Sequence, residues 1–356
     1  MIENNLFGAV AIAALVSIVT LAALRPAAGT LGLIDKPGGR KLHEGDVPVI
    51  GGIAMFVGMF AGLLLLKNPL YELLPLWVAS TFILLIGVLD DRFHLPASVR
   101  FSAQIAAVLI LVYGAHLPLS SIGDPFGTGE IAMGRFTLVF TILVTLTMIN
   151  AYNLVDGADG LAGSLALIAM LSIAAVAGGN HIGSTLALTV SAAIVGFLVF
   201  NFPTPWNRKL RTFMGDAGST LLGFTIVWVA LGVSQGNARV VSPVICLWFA
   251  SIPVYDLLTC FVRRTLKGKS PFTPGRDHFH HKLMRGGFGV RETLGILTGL
   301  QAIYAILGMI AYFKGVPDVA MFAAWSVLGL SQFFIIRFIS RHHRAYLLRK
   351  QAGAAS

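Results

Sequence analysis

Four segments of this 356-residue chain hold acids, amides and histidines at spacings that suit phosphate and metal chemistry. The run 150–163 reads NAYNLVDGADGLAG and carries no basic residue. Asn153, Asp156 and Asp159 recur every three residues, so on a helical turn they would project to one side. Gly157 and Gly160 let the backbone leave the helix there and bring carbonyls near a ligand. Oxygen donors at this density suit a hard divalent cation such as Mg²⁺, which keeps waters and takes one or two carboxylates plus phosphate oxygens. An Asp/Gly turn has the same composition, but three uncompensated oxygen-bearing side chains between two apolar runs favour the cation.

In LLIGVLDDR (84–92) an apolar run stops at Asp90 and Asp91. Successive helix residues point about 100° apart, so one aspartate can face the bundle while the other meets solvent or a basic partner. Taken alone, the motif reads first as a plain polar helix terminus, a reading slightly weakened because negative charge is unfavourable at a helix C-terminus. FMGDAGS (213–219) sets Asp216 between glycines at the start of an apolar run. There it can cap a helix, and the same N-terminus favours a nearby phosphate.

The densest polar segment is RRTLKGKSPFTPGRDHFHHKLMR (263–285). His278, His280 and His281, three within four residues and without cysteine, match no usual zinc spacing. Beside Arg276, Lys282 and Arg285 they read as donors to a pyrophosphate, where Arg grips two oxygens at once. A basic loop serving topology alone explains Arg263, Arg264, Lys267 and Lys269, but not the histidines. Gly268-Lys269-Ser270 is no P-loop, since Arg263 stands where its first glycine must be. Asp256 is the one acid well inside an apolar run, which makes it a functional suspect, with a hydrogen-bonded structural role equally open. Cys246 and Cys260 share that run without a paired spacing and read as small buried hydrophobes.

Something must hold these segments together, and the composition says what. With 56% hydrophobic and 12% charged residues and a mean hydropathy of +0.80, the chain reads as an all-α polytopic membrane protein. Eleven apolar runs, at 6–24, 49–66, 73–89, 101–119, 136–152, 161–177, 182–200, 217–233, 240–262, 293–313 and 317–338, approach the roughly 20 residues that span about 30 Å of hydrocarbon. The first carries Glu3 and no Lys or Arg before it, the wrong polarity for a signal peptide, so it is expected to be a retained span. Threading the runs back and forth leaves only Lys67, Arg135, Arg239 and Lys314, of 26 Lys and Arg residues, on one side. The positive-inside rule then puts the N-terminus outside and the C-terminus in the cytoplasm. The net charge of +10 is thus a topology signal with some attraction to anionic lipid, not a nucleic-acid footprint. Residues 1–340 are expected to form one transmembrane domain and 341–356 a basic cytoplasmic tail. The outer segment 115–134 is expected to form a small hairpin. An ion-coupled transporter would also have many spans and acids, but its site would lie near the bilayer midplane; here nearly every candidate group except Asp256 lies at the inner rim.

These motifs, with GLIDKPGGRKLHEGDVPVIGG (32–52) and SPFTPGRDHFHHKLMRGGF (270–288), stand in an order that resembles the polyprenyl-phosphate N-acetylhexosamine-1-phosphate transferases. The match is nearest to the bacterial branch that loads N-acetylglucosamine onto undecaprenyl phosphate, with the branch carrying a lactyl-pentapeptide sugar as the rival. The resemblance implies eleven transmembrane helices and a Mg²⁺-dependent cytoplasmic site that transfers sugar-1-phosphate from a UDP-sugar to a lipid phosphate, releasing UMP. Mn²⁺ in place of Mg²⁺ and a homodimer stay open. By the same resemblance Asp216 and Asn153 hold the metal, and Asp159 approaches the uridine. Arg276 with His278, His280 and His281 holds the pyrophosphate. Asp90 is base or lipid-phosphate orienter, supported by Asp91 and Arg100, and Asp156, Asn201, Lys41 and His43 contribute to substrate binding. One departure is Phe279, where the family's histidine motif often has a small aliphatic residue.

Overall fold

The computed structural model describes residues 5–37, 45–66, 70–179, 181–205, 210–270, 275 and 277–354. In chain order it has α1 (Leu6–Leu24), β1 (Ile34–Asp35), β2 (Val47–Pro48), α2 (Gly51–Leu64), α3 (Leu70–Phe93), α4 (Ala97–Leu109), α5 (Thr137–Val155) and α6 (Leu161–Ala177). Then follow α7 (Ile182–Asn201), α8 (Gly215–Ser234), α9 (Pro243–Phe249), α10 (Ser251–Thr265), α11 (Phe279–Arg285), α12 (Val290–Phe313) and α13 (Asp318–Ala354). Among the described residues, eight helical stretches are long and apolar enough to cross a membrane, α9 and α10 pass together as a bent pair, and α2 and α6 are shorter apolar helices. The chain is an all-α, multi-pass membrane protein.

Burial separates helices that composition cannot. The most apolar window of α8 is 83% buried and that of α7 78%, whereas α1 and α13, both more apolar than α8, reach 22%. Phe7, Leu15 and Val19 of α1 and Leu330, Phe334 and Phe338 of α13 stand exposed, the surface expected of lipid-facing helices. The central α8 is approached closely by its neighbours because the contacts are made by small residues. A Cβ on Gly52 of α2 would overlap the Gly218 backbone, and one on Gly87 of α3 the Ala217 backbone. Such faces let helices meet at backbone distance where lipid supplies no hydrophobic drive.

Two connections differ from expectation. The run at 240–262 is two helices bent by 85°. Pro253 lacks the N–H that would bond the Phe249 carbonyl four residues back. Gln301, fully buried on α12, closes the gap: its Nε2 donates to Trp248 O at 3.1 Å and Phe249 O at 3.0 Å, and its Oε1 accepts from Ile252 N at 2.9 Å. The connection between α1 and α2 carries the unexpected β1–β2 pair. Its end is clipped to the entry of α8, with Phe213 N donating to Pro48 O at 2.8 Å and Gly51 N to Phe213 O at 2.9 Å.

The 115–134 segment does fold back, through one antiparallel bridge between Ser121 and Ala132. Gln235, just past α8, accepts from Ser120 N and Ser121 N and donates to Ser121 O. About 28 Å of helix separates that anchor from Asp216 at the other end of α8. α13 runs unbroken across position 341.

Gln301→Leu should leave the Phe249 carbonyl and the Ile252 N–H without their partner at the bend, Trp248 O keeping its bond from Ser251 Oγ, and should destabilise the protein by about 1–3 kcal/mol. The unfolding midpoint in detergent should fall by several degrees; an unchanged midpoint would show that the bend does not depend on this side chain.

Candidate active site

The entry of α8 is the meeting point of the acidic segments. Gly215 sits at φ +72°, and a Cβ there would overlap Asp91 and Val49, so glycine alone fits. The Asp91 carboxylate accepts from Asp216 N at 2.8 Å and from Ala217 N at 3.2 Å. Asp91 therefore caps α8 from a different helix, and negative charge at an N-terminus is favourable. Asp216 lies in the first turn rather than at the cap, which leaves its side chain for other partners. Asn153 Nδ2 donates to Asp216 Oδ1 at 2.5 Å and to Ser219 Oγ at 3.0 Å.

Asp90 points the other way from Asp91, as the 100° rule requires. It is 3% exposed, accepting from Leu95 N at 2.7 Å and from Arg100 Nη1 at 3.0 Å. The same Arg100 nitrogen lies 3.8 Å from Asp216 Oδ2. These groups form the polar end of a cleft of about 490 Å³, counting the part open to solvent. Its other lining includes Ile83, Ile86, Phe101 and Ala103 from α3 and α4, with Asn150 bonded to Gln104 across it at 3.1 Å.

The loop after α5 departs from the expected helical turn. α5 carries Asn153 and ends at Val155, so Asp156 and Asp159 lie beyond the helix. Asp156 is half-buried; burial first, then the charges of Asp216, Asp91 and Asp159, push its carboxyl well above the usual range. Asp159 is taken by Arg211, with Nη2 at 2.8 Å from Oδ1 and 2.7 Å from Oδ2. Asn201 is 5% exposed, its Oδ1 accepting from Gly160 N at 2.8 Å and its Nδ2 donating to Thr212 O at 2.9 Å. It braces two loops rather than reaching the carboxylates.

The histidine helix α11 reaches the same loop. His280 is 1% exposed, and a Cβ on Gly157 would overlap its Nε2. Both its ring nitrogens lack a partner among the described residues. Burial, with His281 adding to it, pushes His280 down to about 3, so this ring is neutral. The His281 ring lies 4.1 Å from it, centre to centre. His278 is turned toward α10, where its Nδ1 lies 3.1 Å from Asp256 Oδ2. Phe279, the departing residue, is buried and stacks under the Lys282 ammonium. Lys41, His43 and Arg276 lie outside the described residues.

The structure thus brings Asp90, Asp91, Arg100, Asn153 and Asp216 into direct contact, with Asp156 within electrostatic reach and His280 against the same loop. Arg211, Ser219, Gln104 and Asn150 were not singled out by the sequence. Ser219 had a signal, three residues after Asp216 and hence on its face of the helix; Arg211 had only its nearness to the motif. Carboxylates crowded this way, with Arg100 as the cation touching two of them, suit an additional hard cation: Asp216 and Asn153 offer oxygen donors once the Asn153 amide turns its carbonyl inward.

The comparisons with known proteins bear on this arrangement directly. Residues 73–234, running from α3 to the end of α8, match the model of glycosyl transferase family 4. The chain is 34% identical over 340 residues to the undecaprenyl-phosphate alpha-N-acetylglucosaminyl 1-phosphate transferase of Yersinia pestis, covering 93% of each protein. It is 34% identical over 345 residues to the protein of that name from Escherichia coli strain K12, covering 93% of this chain and 92% of that one. The chain belongs to this transferase family. The family match contains Asp90, Asp91, Arg100, Asn153, Asp156, Asp159, Asn201 and Asp216, and stops before the histidine helix.

Asp91→Ala should remove the cap from α8 and destabilise the protein by about 1–2 kcal/mol, whereas Asp216→Ala, which relieves carboxylate repulsion, should not lower the unfolding midpoint. Equal losses from both variants would contradict this division of roles.

Proposed function

We propose that the protein transfers N-acetylglucosamine-1-phosphate from UDP-N-acetylglucosamine to undecaprenyl phosphate, giving undecaprenyl-diphosphate-N-acetylglucosamine and UMP. The reaction would take place at the cytoplasmic face of the bacterial inner membrane and start a lipid-linked surface polysaccharide. The observation that carries the reading is the cleft itself. Arg100, held between Asp90 and Asp216, marks a phosphate position at one end, and Ile83, Ile86 and Phe101 line the rest. A phosphate arriving on an apolar tail needs that combination. The names of the relatives support the choice of lipid and sugar.

An eleven-span topology, N-terminus outside and C-terminus in the cytoplasm, belongs to the same proposal. It is supported by the eight long helices, the bent pair and the two shorter apolar helices, and by the gathering of Lys and Arg in alternate loops.

In the reaction a lipid-phosphate oxygen bonds to the sugar-bearing phosphorus, the bridging P–O bond breaks, and its electron pair leaves on UMP. Positioning and charge neutralisation do most of the work in such transfers. Arg100 draws the lipid phosphate toward α8, and Asp90, bonded to Leu95 N and Arg100, fixes that guanidinium in place. A lipid phosphate is already largely ionised near neutral pH, so Asp90 serves as its orienter without having to be a strong base. Asp216 and Asn153 would hold Mg²⁺, which when bound offsets the charge building on the phosphate oxygens. His280, neutral and lodged against Gly157, and the neighbouring His281 would face the donor's diphosphate.

Incubation of the purified protein with undecaprenyl phosphate and a panel of UDP-N-acetylhexosamines tests this. The lipid product should carry N-acetylglucosamine by mass, with one UMP released per product, and EDTA or Asp216→Asn should lower the rate at least about a hundredfold. No lipid-linked product from any UDP-sugar would refute the function; full activity in EDTA would remove its metal.

A further inference from the structure

Asp256 lies in the apolar part of α10, 1% exposed, and about 10 Å of helix from Arg263. Its carboxylate is fully engaged by the histidine segment. Oδ2 is 3.1 Å from His278 Nδ1, and Oδ1 accepts from Phe279 N at 2.9 Å. The second bond matters because α11 is only seven residues long and its own N-cap, His278, makes no side-chain capping bond. A helix this short is marginal unless other elements hold its end. We propose that Asp256 is a positioning residue that fixes the His278 ring and the start of α11, so that α11 presents its histidines to the diphosphate of the sugar donor; this rests on the function proposed above.

The chemistry around the pair supports it. Both partners are buried, with side chains 4% and 1% exposed, and a carboxylate buried this deep must be paired. Burial works against a charged ring, but the Asp256 carboxylate and Cys260 outweigh it and push His278 up to about 10. With Nδ1 committed to Asp256, His278 keeps Nε2–H as its one free donor. Its ring lies 8° from parallel with that of neutral His280, 6.0 Å away. One imidazolium and one imidazole thus stand side by side: the charged His278 ring is tied back to α10 by Asp256, and the neutral His280 ring is set against the loop at Gly157, where the donor's diphosphate would lie. Asparagine at 256 could supply similar bonds but not the charge that keeps His278 protonated. Cys260 Sγ, one turn along α10, lies 3.5 Å from His278 Nδ1 and 4.0 Å from Asp256 Oδ1. Asp256, Cys260 and His278 are close enough for a metal ion, yet the 3.1 Å contact and the Phe279 N–H on Oδ1 have the form of a hydrogen-bonded pair.

The test uses the full chain in nanodiscs with isotope-labelled histidine, the His278 signal being assigned by its loss in His278→Gln. In the wild type the His278 ring should stay protonated through pH 8 with its Nδ1 proton hydrogen-bonded. In Asp256→Asn, with burial no longer offset by the carboxylate, it should titrate no higher than the ordinary value of about 6.5. Asp256→Asn should also raise KM for UDP-N-acetylglucosamine roughly tenfold or more, the effect of losing a charged hydrogen bond. KM for undecaprenyl phosphate should stay unchanged, and Asp256→Glu should restore part of the loss. A neutral wild-type ring at pH 7, an unchanged donor KM in Asp256→Asn, or stoichiometric zinc in the purified protein would each overturn the inference. The wild-type titration decides it even if Asp256→Asn fails to fold. Absence of lipid product from the wild type would instead refute the proposed function, a separate failure.

Discussion

The bond from the Asp91 carboxylate to the first N–H groups of α8 is the constraint on which the rest of the site depends. It joins two helices whose residues are 125 and 126 positions apart in the chain. It also requires the backbone turn at Gly215 that no side chain would permit. By taking the capping role, Asp91 releases Asp216 to face Asn153 and Arg100. Adjacent acids on α3 therefore do unlike work: one holds the scaffold, and the other, through Arg100, faces the cleft. The packing follows the same need. Gly52 and Gly87 bring α2 and α3 to backbone contact with α8, close enough for a short carboxylate to reach across.

Much of the scaffold was legible in the chain, because apolar runs of about 20 residues have few alternatives in a bilayer. The ends were less so. α5 continues to Val155 and carries Asn153 with it, since nothing in NLVD forbids a further turn; the helix stops where Gly157 yields room to His280. The bend at Ala250 had a visible cause in Pro253, but the side chain that makes it tolerable, Gln301, is remote in sequence and could not be paired with it by spacing. In the site, residue types pointed to the segments that meet but not to partners. Asp90 and Asp91 read as divergent, as they are. The reading of Asp216 as a possible cap missed that another helix supplies the cap. Asp159 and Asn201 carried no local sign that Arg211 and two loop backbones would engage them.

Low dielectric explains why the polar groups are arranged as they are. A charge or an open carbonyl inside the bundle needs a partner. Gln301 meets that need at the bend, Asp256 and His278 meet it as a pair, and Gln235 meets it at the 115–134 fold-back. At the entry of α8 the balance is different: Asp91, Asp156 and Asp216 bear on one another, with Arg100 the cation in contact with Asp90 and Asp216. These crowded carboxyl groups sit beside a cleft lined by both charged and apolar groups, and a divalent ion held there, as proposed, would relieve their mutual repulsion.

Electron paramagnetic resonance of Mn²⁺ added to the purified protein with UDP-N-acetylglucosamine measures this most directly. The expected result is one bound ion per chain whose spectrum shows coupling to phosphorus, lost in Asp216→Asn. Binding unchanged by Asp216→Asn, or a bound ion with no phosphorus coupling, would contradict a metal held at the entry of α8 between protein carboxylate and substrate phosphate.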